Sequence, residues 1–219
     1  MKNKFLIAFL IPFVPLIYIA YKWNNIPETV QLHFDSDFNP DRFGAKLELL
    51  WIVIFMSCVS ILITLLFKFL PKIDTKKNLE SQGGILENIT LGTSIFLVIV
   101  CFFVIQSAIS ANKASLIGTL PIFLLLFMAF LGNYMINLKQ NHFVGIRTSW
   151  TLESESVWKK THQFAGKLLF FGSIIGIIIL LFLPDFKVKL IFMGIWLISI
   201  MTVSVWKSYN FYKQESILG

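Results

Sequence analysis

Residues 89–111 read ITLGTSIFLVIVCFFVIQSAISA, a run without a single charged side chain. At about 1.5 Å rise per residue such a helix extends roughly 35 Å, enough to cross a hydrocarbon core of about 30 Å. Its apolar residues surround the helix axis and leave no polar stripe for water. This stretch therefore predicts a membrane-spanning helix, and the rest of the chain repeats the pattern.

Five further blocks follow the same rule. Phe5–Tyr21 lies between Lys4 and Lys22, Leu49–Phe67 between Glu48 and Lys68, and Ser115–Leu138 is uncharged. Leu168–Leu183 follows Lys167, and Leu190–Trp206 sits between Lys189 and Lys207. A chain that is 56% hydrophobic and 14% charged, with a mean hydropathy of +0.75, is outside the balance of a soluble domain. The expected fold is all-α: one integral membrane domain over residues 1–219 with six transmembrane helices. Pro12, Pro15 and Pro121 fall inside the expected spans, where neighbouring helices must satisfy the carbonyls that proline frees. The first block is longer than a signal-peptide core and lacks a small-residue cleavage site at Ile19-Ala20-Tyr21-Lys22, so it is expected to be retained.

Flanking charge gives the orientation. With the N-terminus inside, 13 of the 19 Lys and Arg fall in cytoplasmic segments, so both termini are expected in the cytoplasm. The net charge of +7 then serves topology and contact with anionic membrane lipids, and gives no reason to expect direct nucleic-acid binding. Cys58 and Cys101 lie within spans, without metal-type or CxxC spacing, and read as apolar filler. Asn133 and Asn137 share a helix face and are expected to hydrogen-bond another helix.

Most connections are plain. The lysine-rich segment Leu70–Asn88, with Gly83-Gly84, reads as a flexible cytoplasmic link, and Asn112–Ala114 and Pro184–Lys189 as outside turns. Two segments differ. Outside, residues 22–48 contain Val30, Leu32 and Phe34 alternating with polar residues, followed by the turn signal Asn39-Pro40-Asp41. A metal site could be assembled from His33, Asp35, Asp37 and Asp41, but nothing in their spacing fixes a coordination geometry; Asp41, Arg42 and Lys46 read more simply as a charge network. Inside, residues 139–166 contain Thr151 as an expected helix N-cap with Glu153 and Glu155 in the first turn. On that helix Trp158, His162 and Ala165 share one face, while Lys159 and Lys160 make a basic one. Trp150 and Trp158 suit the headgroup level.

No catalytic motif emerges. Ser149, His142 or His162, and Glu153 supply the residue types of a hydrolase, yet no nucleophile-elbow sequence surrounds the serine. HExxH, Walker and GxGxxG patterns are missing. No ionisable residue lies at mid-span, which argues against proton-coupled transport. Neither a cofactor nor a metal is called for.

The two distinctive segments also carry a resemblance. From Ile26-Pro27 through His33-Phe34 to Asn39-Pro40-Asp41-Arg42-Phe43-Gly44-Ala45-Lys46, the outer segment resembles the small membrane-associated module DUF1648. The inner segment, Asn141-His142-Phe143-Val144-Gly145-Ile146-Arg147-Thr148-Ser149-Trp150-Thr151-Leu152 followed by Val157-Trp158 and Thr161-His162, resembles the signature of the SdpI family. Phe38 replaces a glycine expected before the Pro-Asp pair, and Ser149 replaces a usual proline.

The resemblance implies a multi-pass plasma-membrane protein of a Gram-positive bacterium that gives immunity against a secreted, membrane-active peptide toxin, without catalysis. His33, Phe34, Asp41, Arg42, Gly44 and Lys46 would face the toxin. Asn141, Gly145, Arg147, Thr148, Trp150, Thr151, Leu152, Trp158, Thr161 and His162 would form the cytoplasmic motif. A further implication is an ArsR-type repressor as partner at the inner face. The competing expectation is an exporter of a hydrophobic peptide or lipid, with Asn133 and Asn137 lining its path.

Overall fold

Pro12 has no N–H to give to the carbonyl of Ala8, four residues earlier, and it divides the first apolar block in two. In the computed structural model, which describes residues 3–35, 37, 39–76, 78–109 and 118–218, α1 runs over Asn3–Leu10 and α2 over Phe13–Lys22. The freed Ala8 carbonyl accepts from Ser94 Oγ at 2.8 Å, while Ser60 Oγ lies 3.1 Å from that same serine oxygen. Thr64 Oγ1 lies 3.4 Å from the Ala8 oxygen, and Ser57 Oγ donates to the Pro12 carbonyl at 2.8 Å. Two neighbouring helices thus supply the hydrogen bonds that the break requires. Pro121 is different from expectation: it stands in the first turn of its helix, where the missing N–H is not needed.

The remaining helices are α3 (Lys46–Ile73), α4 (Gly83–Ile109), α5 (Leu120–Met135), α6 (Ser149–Glu153), α7 (Glu155–Phe182) and α8 (Phe186–Leu218). Five helical segments are long and apolar enough to cross a membrane: Asn3–Asn25, Lys46–Ile73, Glu80–Ile109, Glu155–Phe182 and Phe186–Ile217. The expected fourth span is the shorter α5, 16 residues or about 24 Å of helix. The beginning of that span at Ser115, and the outside turn Asn112–Ala114, lie outside the described residues.

Burial differs from that of a soluble protein in the polar residues inside and the apolar ones outside. Small hydroxyl residues Ser57, Ser60, Thr64, Thr90 and Ser94 are buried between helices, whereas Trp51, Phe55, Leu62, Ile191 and Ile198 are exposed on the outer surface. Helices in hydrocarbon gain little by hiding apolar groups from one another, so small and hydrogen-bonding residues occupy their contacts. The α5–α7 crossing is the tightest case. A Cβ on Gly132 would meet Gly166 O at 2.8 Å, and one on Gly166 would meet Gly132 O at 2.7 Å. Phe96 stacks on Phe127 at 4.4 Å, joining α4 to α5.

The chain is mostly helical, but not wholly. Strands β1 (Thr29–Phe34) and β2 (Pro40–Ala45) form an antiparallel hairpin at one end of the bundle. The alternation of Val30, Leu32 and Phe34 foreshadows β1; β2, with Pro40, Asp41 and Gly44, has poor strand propensity and forms because β1 supplies its partner.

Replacing Gly132 with leucine is expected to force α5 and α7 apart and lower stability by about 1–3 kcal/mol, the usual cost of overpacking. Thermal unfolding in detergent measures it, and an unchanged midpoint would contradict the packing.

Candidate functional site

The inner motif is built on a buried asparagine. Asn141 Oδ1 accepts from the N–H groups of Phe143 at 2.8 Å and Val144 at 2.7 Å. Its Nδ2 donates to the carbonyls of Lys139 at 2.9 Å and Val144 at 3.1 Å. One fully buried side chain therefore folds the turn through residues 139–144. Phe143 and Val144 are thereby directed against Leu70, Leu79 and Leu86.

Gly145 follows with φ +113°, a conformation that disfavours any side chain, and a Cβ there would overlap His162 Nε2. The glycine lets the backbone reach the ring: Ile146 N–H donates to His162 Nε2 at 3.0 Å. A nitrogen that accepts carries no proton, so His162 is held as the neutral Nδ1–H tautomer, with Nδ1 donating to the Trp158 carbonyl at 2.9 Å. Trp158 stacks on this ring at 3.9 Å and donates from Nε1 to the Leu138 carbonyl at 2.7 Å. The shared face of Trp158, His162 and Ala165 is fully inward. Trp158, expected at the wet headgroup level, is instead buried, because its N–H finds a protein carbonyl.

The helix start differs from expectation. Thr148, not Thr151, caps the short α6, and Ser154 caps α7 by accepting from Val157 N–H at 3.2 Å. Glu155 lies in the first turn of α7, but Glu153 ends α6. Thr151 is buried and its hydroxyl accepts from Thr148 N–H at 2.9 Å while reaching the Ile146 carbonyl at 2.9 Å. Ser149 occupies the first position of α6, which suits proline. Leu152 is half-buried and its carbonyl is a hub, accepting from Gln140 Nε2 at 2.9 Å and Lys76 Nζ at 3.0 Å. Trp150 Nε1 donates to Ser208 Oγ at 2.9 Å and the ring meets Tyr209, so α6 is fastened to the far end of α8. Arg147 and His142 are exposed, with Arg147 donating to the His142 carbonyl at 2.5 Å. Thr161 is buried in α7.

The segment read as a flexible link is part of this site. Lys76 Nζ donates to Gln140 Oε1 at 2.6 Å, Asn78 Nδ2 to the Gln140 carbonyl at 2.8 Å, and Gln82 Nε2 to the Asn137 carbonyl at 2.7 Å. Gln82 Oε1 in turn accepts from Lys139 N–H at 2.9 Å. Gly83-Gly84 open α4 instead of forming a hinge. Lys76, Asn78, Gln82 and Gln140 are the site residues sequence reasoning missed; their type is ordinary, and only the fold brings them together. A cavity of about 480 Å³ beside them is lined by Asn78, Lys139, Gln140, Glu155, Trp158 and Lys159. Asn133 and Asn137, expected to bridge helices, have exposed side chains, and among the described residues neither side chain makes a hydrogen bond. Ser149, exposed at the start of α6, makes no hydrogen bond to either histidine among the described residues.

At the opposite end the hairpin is anchored by apolar contact and directed by charge. Ile26 and Val30 are buried against Ile19, Leu49, Val53, Ile105 and Ala108. Asp41 and Arg42 do not form the expected network with Lys46. Arg42 pairs with Glu48 at 2.8 Å, and Lys46 with Glu28 at 2.7 Å while lying 4.8 Å over the Trp23 ring. His33 Nδ1 donates to Asp41 Oδ1 at 2.6 Å, both exposed. Asp35 accepts from the N–H groups of Asn39 and Asp37, each at 2.8 Å, and Asp37 meets Lys187 at 3.3 Å. Of the four side chains considered for a metal, His33 and Asp41 thus engage each other while Asp35 and Asp37 have other partners, and among the described residues no group of three or more His, Cys, Asp or Glu gathers. Gly44 faces Leu32 and Glu48, Phe34 is half-buried, and Phe43 is exposed. Ser36 and Phe38 lie outside the described residues.

Five helical segments long and apolar enough to cross a membrane, with a docked hairpin at one end of the bundle and a hydrogen-bonded motif at the other, suit a multi-pass membrane protein. Residues 137–209 match the SdpI/YfhL protein family, and residues 10–57 match DUF1648, a domain of unknown function. The similarity to the SdpI/YfhL family thus lies in the inner motif and the helices that follow it, and that to DUF1648 in the first helices and the hairpin. It is similar to the immunity protein SdpI of Bacillus subtilis (strain 168), with 33% identity over 89 residues. That similarity covers 41% of this chain and 42% of the relative, so it spans less than half of either. No solved structure matches the chain.

Substituting His162 by phenylalanine keeps a stacking ring but leaves Ile146 N–H buried without its acceptor, an expected loss of about 1–3 kcal/mol. Gly145→Ala should be comparably damaging, and calorimetry of purified protein compares them. At the hairpin tip, the hydrogen bond from Asn39 N–H, followed by that from Asp37 N–H, holds the Asp35 carboxyl below its ordinary value. A lowered folded value makes the contribution complete above the ordinary carboxylate range and lost as pH falls through the folded one. Protection factors of the Asp37 and Asn39 amides, referred to the intrinsic exchange rate at each pH, should therefore fall on acidification, and in an Asp35→Asn variant they should not change with pH.

Proposed function

We propose that this protein is a non-catalytic membrane immunity protein that protects its cell against a secreted, membrane-active peptide toxin. The observation that carries the reading is the similarity to an immunity protein within the SdpI/YfhL family, in a chain that places an ordered segment at each end of a helical bundle. The reading takes α5 as a sixth crossing, lengthened by residues before Leu120, with both termini cytoplasmic as the flanking charges require. The hairpin then stands outside, where toxin arrives, presenting His33, Asp41, Arg42 and exposed Phe43. Its buried base packs on α3 and α4 through Val30 and Ile26.

The inner motif is the second half of the proposal. Arg147, His142, Lys159 and Lys160 are exposed there on a backbone whose turns are held by Asn141, Gly145 and His162. Such a basic, preorganised surface suits a cytosolic protein partner, and an ArsR-type repressor is the partner the family resemblance suggests.

Expression in a toxin-sensitive Gram-positive strain tests the proposal. Cells making the protein should survive a dose of a sporulation-delaying-type toxin that kills cells without it. An Arg42→Glu, Phe43→Ser double variant on the hairpin should lose protection while still reaching the membrane. Equal killing with and without the wild-type protein would remove the immunity reading for that toxin, and mass analysis of the recovered peptide should find it intact.

A further inference from the structure

A cavity of about 750 Å³ lies between α1, α3 and α4, walled by Phe5, Leu6, Phe9 and Leu65 and closed on its polar side by Thr64, Lys68 and Glu87. This volume falls within the roughly 300–1,000 Å³ of typical small-molecule sites. Glu87 is 7% exposed, and among the described residues neither it nor Lys68 has a hydrogen-bond or ion-pair partner. The Glu87 carboxylate lines the cavity, so a cationic donor entering there would supply the partner that the protein does not. Thr64 is already engaged with its own helix through the Ser60 carbonyl at 3.0 Å, so it does not answer Glu87.

The surroundings restrict what could. Lys68 stands near the end of α3, Glu87 one turn into α4, and Lys4 in the first turn of α1, donating to Asn88 Oδ1 at 2.6 Å. All three charged groups therefore gather at one end of the bundle, the depth of a lipid headgroup, while the phenylalanine and leucine walls continue along the helices at acyl-chain depth. Leu6 is 57% exposed at the rim, which leaves the cavity side open to the bilayer.

We propose that this cavity binds a zwitterionic phospholipid with a primary ammonium headgroup. The ammonium donates to the Glu87 carboxylate, the phosphate lies against Lys68, and one acyl chain follows Phe5, Phe9 and Leu65. A choline headgroup has no N–H to donate, and the glycerol of an anionic headgroup offers Glu87 only neutral hydroxyls beside a net negative charge. This site is independent of the immunity reading and of both family segments' exposed residues.

Native mass spectrometry of the full chain, equilibrated with matched amounts of phosphatidylethanolamine, phosphatidylcholine and phosphatidylglycerol, tests the assignment. Retention of the ethanolamine lipid over the other two is expected, and Glu87→Gln should reduce that preference by about tenfold, the ratio expected from loss of one charge-assisted hydrogen bond. Lys68→Ala should weaken both phosphatidylethanolamine and phosphatidylcholine. Equal retention of the three lipids by the wild-type chain overturns the proposal, as does an unchanged preference in Glu87→Gln. A peptide toxin that crosslinks to Leu65 while no lipid is retained would also overturn it, assigning the cavity to the peptide. If Glu87→Gln fails to fold, the wild-type comparison of ethanolamine with choline lipid decides the question alone.

Discussion

A backbone carbonyl or N–H in apolar surroundings must have a partner, and this requirement organises the whole molecule. Where Pro12 takes the partner from Ala8, Ser94 of α4 supplies another, with Ser60 of α3 beside it. A local defect in one helix thereby selects which two helices lie against it. The inner motif obeys the same demand without a regular ladder. Its turns have no helix or strand partners, so side chains of Asn141, Gln140, Thr151 and His162 take the backbone groups one by one.

That mode of construction explains why the inner motif is so dense in particular residue types. Asparagine and glutamine each offer an acceptor and two donors, which lets one side chain bind a turn from both sides. Glycine at 145 is required by its backbone angle and by the closeness of His162. His162 contributes because it is neutral and bifunctional, accepting at one nitrogen and donating at the other. The hairpin uses a contrasting solution: its backbone pairs within itself, while apolar side chains at its base and ion pairs such as Arg42–Glu48 fasten it to the bundle. It can therefore carry exposed, chemically varied residues without loosening the helices beneath.

The two ends also share elements. Helix α4 begins beside Gln82 at the inner motif and ends at Ile105 and Ala108 under the hairpin. Helix α8, 33 residues and about 50 Å long, meets Trp150 and Ser154 at one end and begins beside Asp185 and Lys187, where Lys187 reaches Asp37 of the hairpin. Continuous helices therefore run between the two ends.

Hydropathy alone determined the number of apolar blocks and the two segments set apart from them, since a run such as 89–111 has only one low-energy environment. Local rules also exposed the strand at Val30–Phe34 and the common face of Trp158 and His162, both of which depend on side-chain period alone. What only tertiary structure decided is which residue meets which. Thr151 reads as a cap by composition, yet Thr148 and Ser154 hold those positions because Thr151 is drawn inward to the Ile146 carbonyl. Lys76, Asn78 and Gln82 read as linker, yet they complete the inner motif from more than fifty residues away. Long-range hydrogen bonds have no period and no spacing, so they leave no mark in the sequence until the helices bring their partners together.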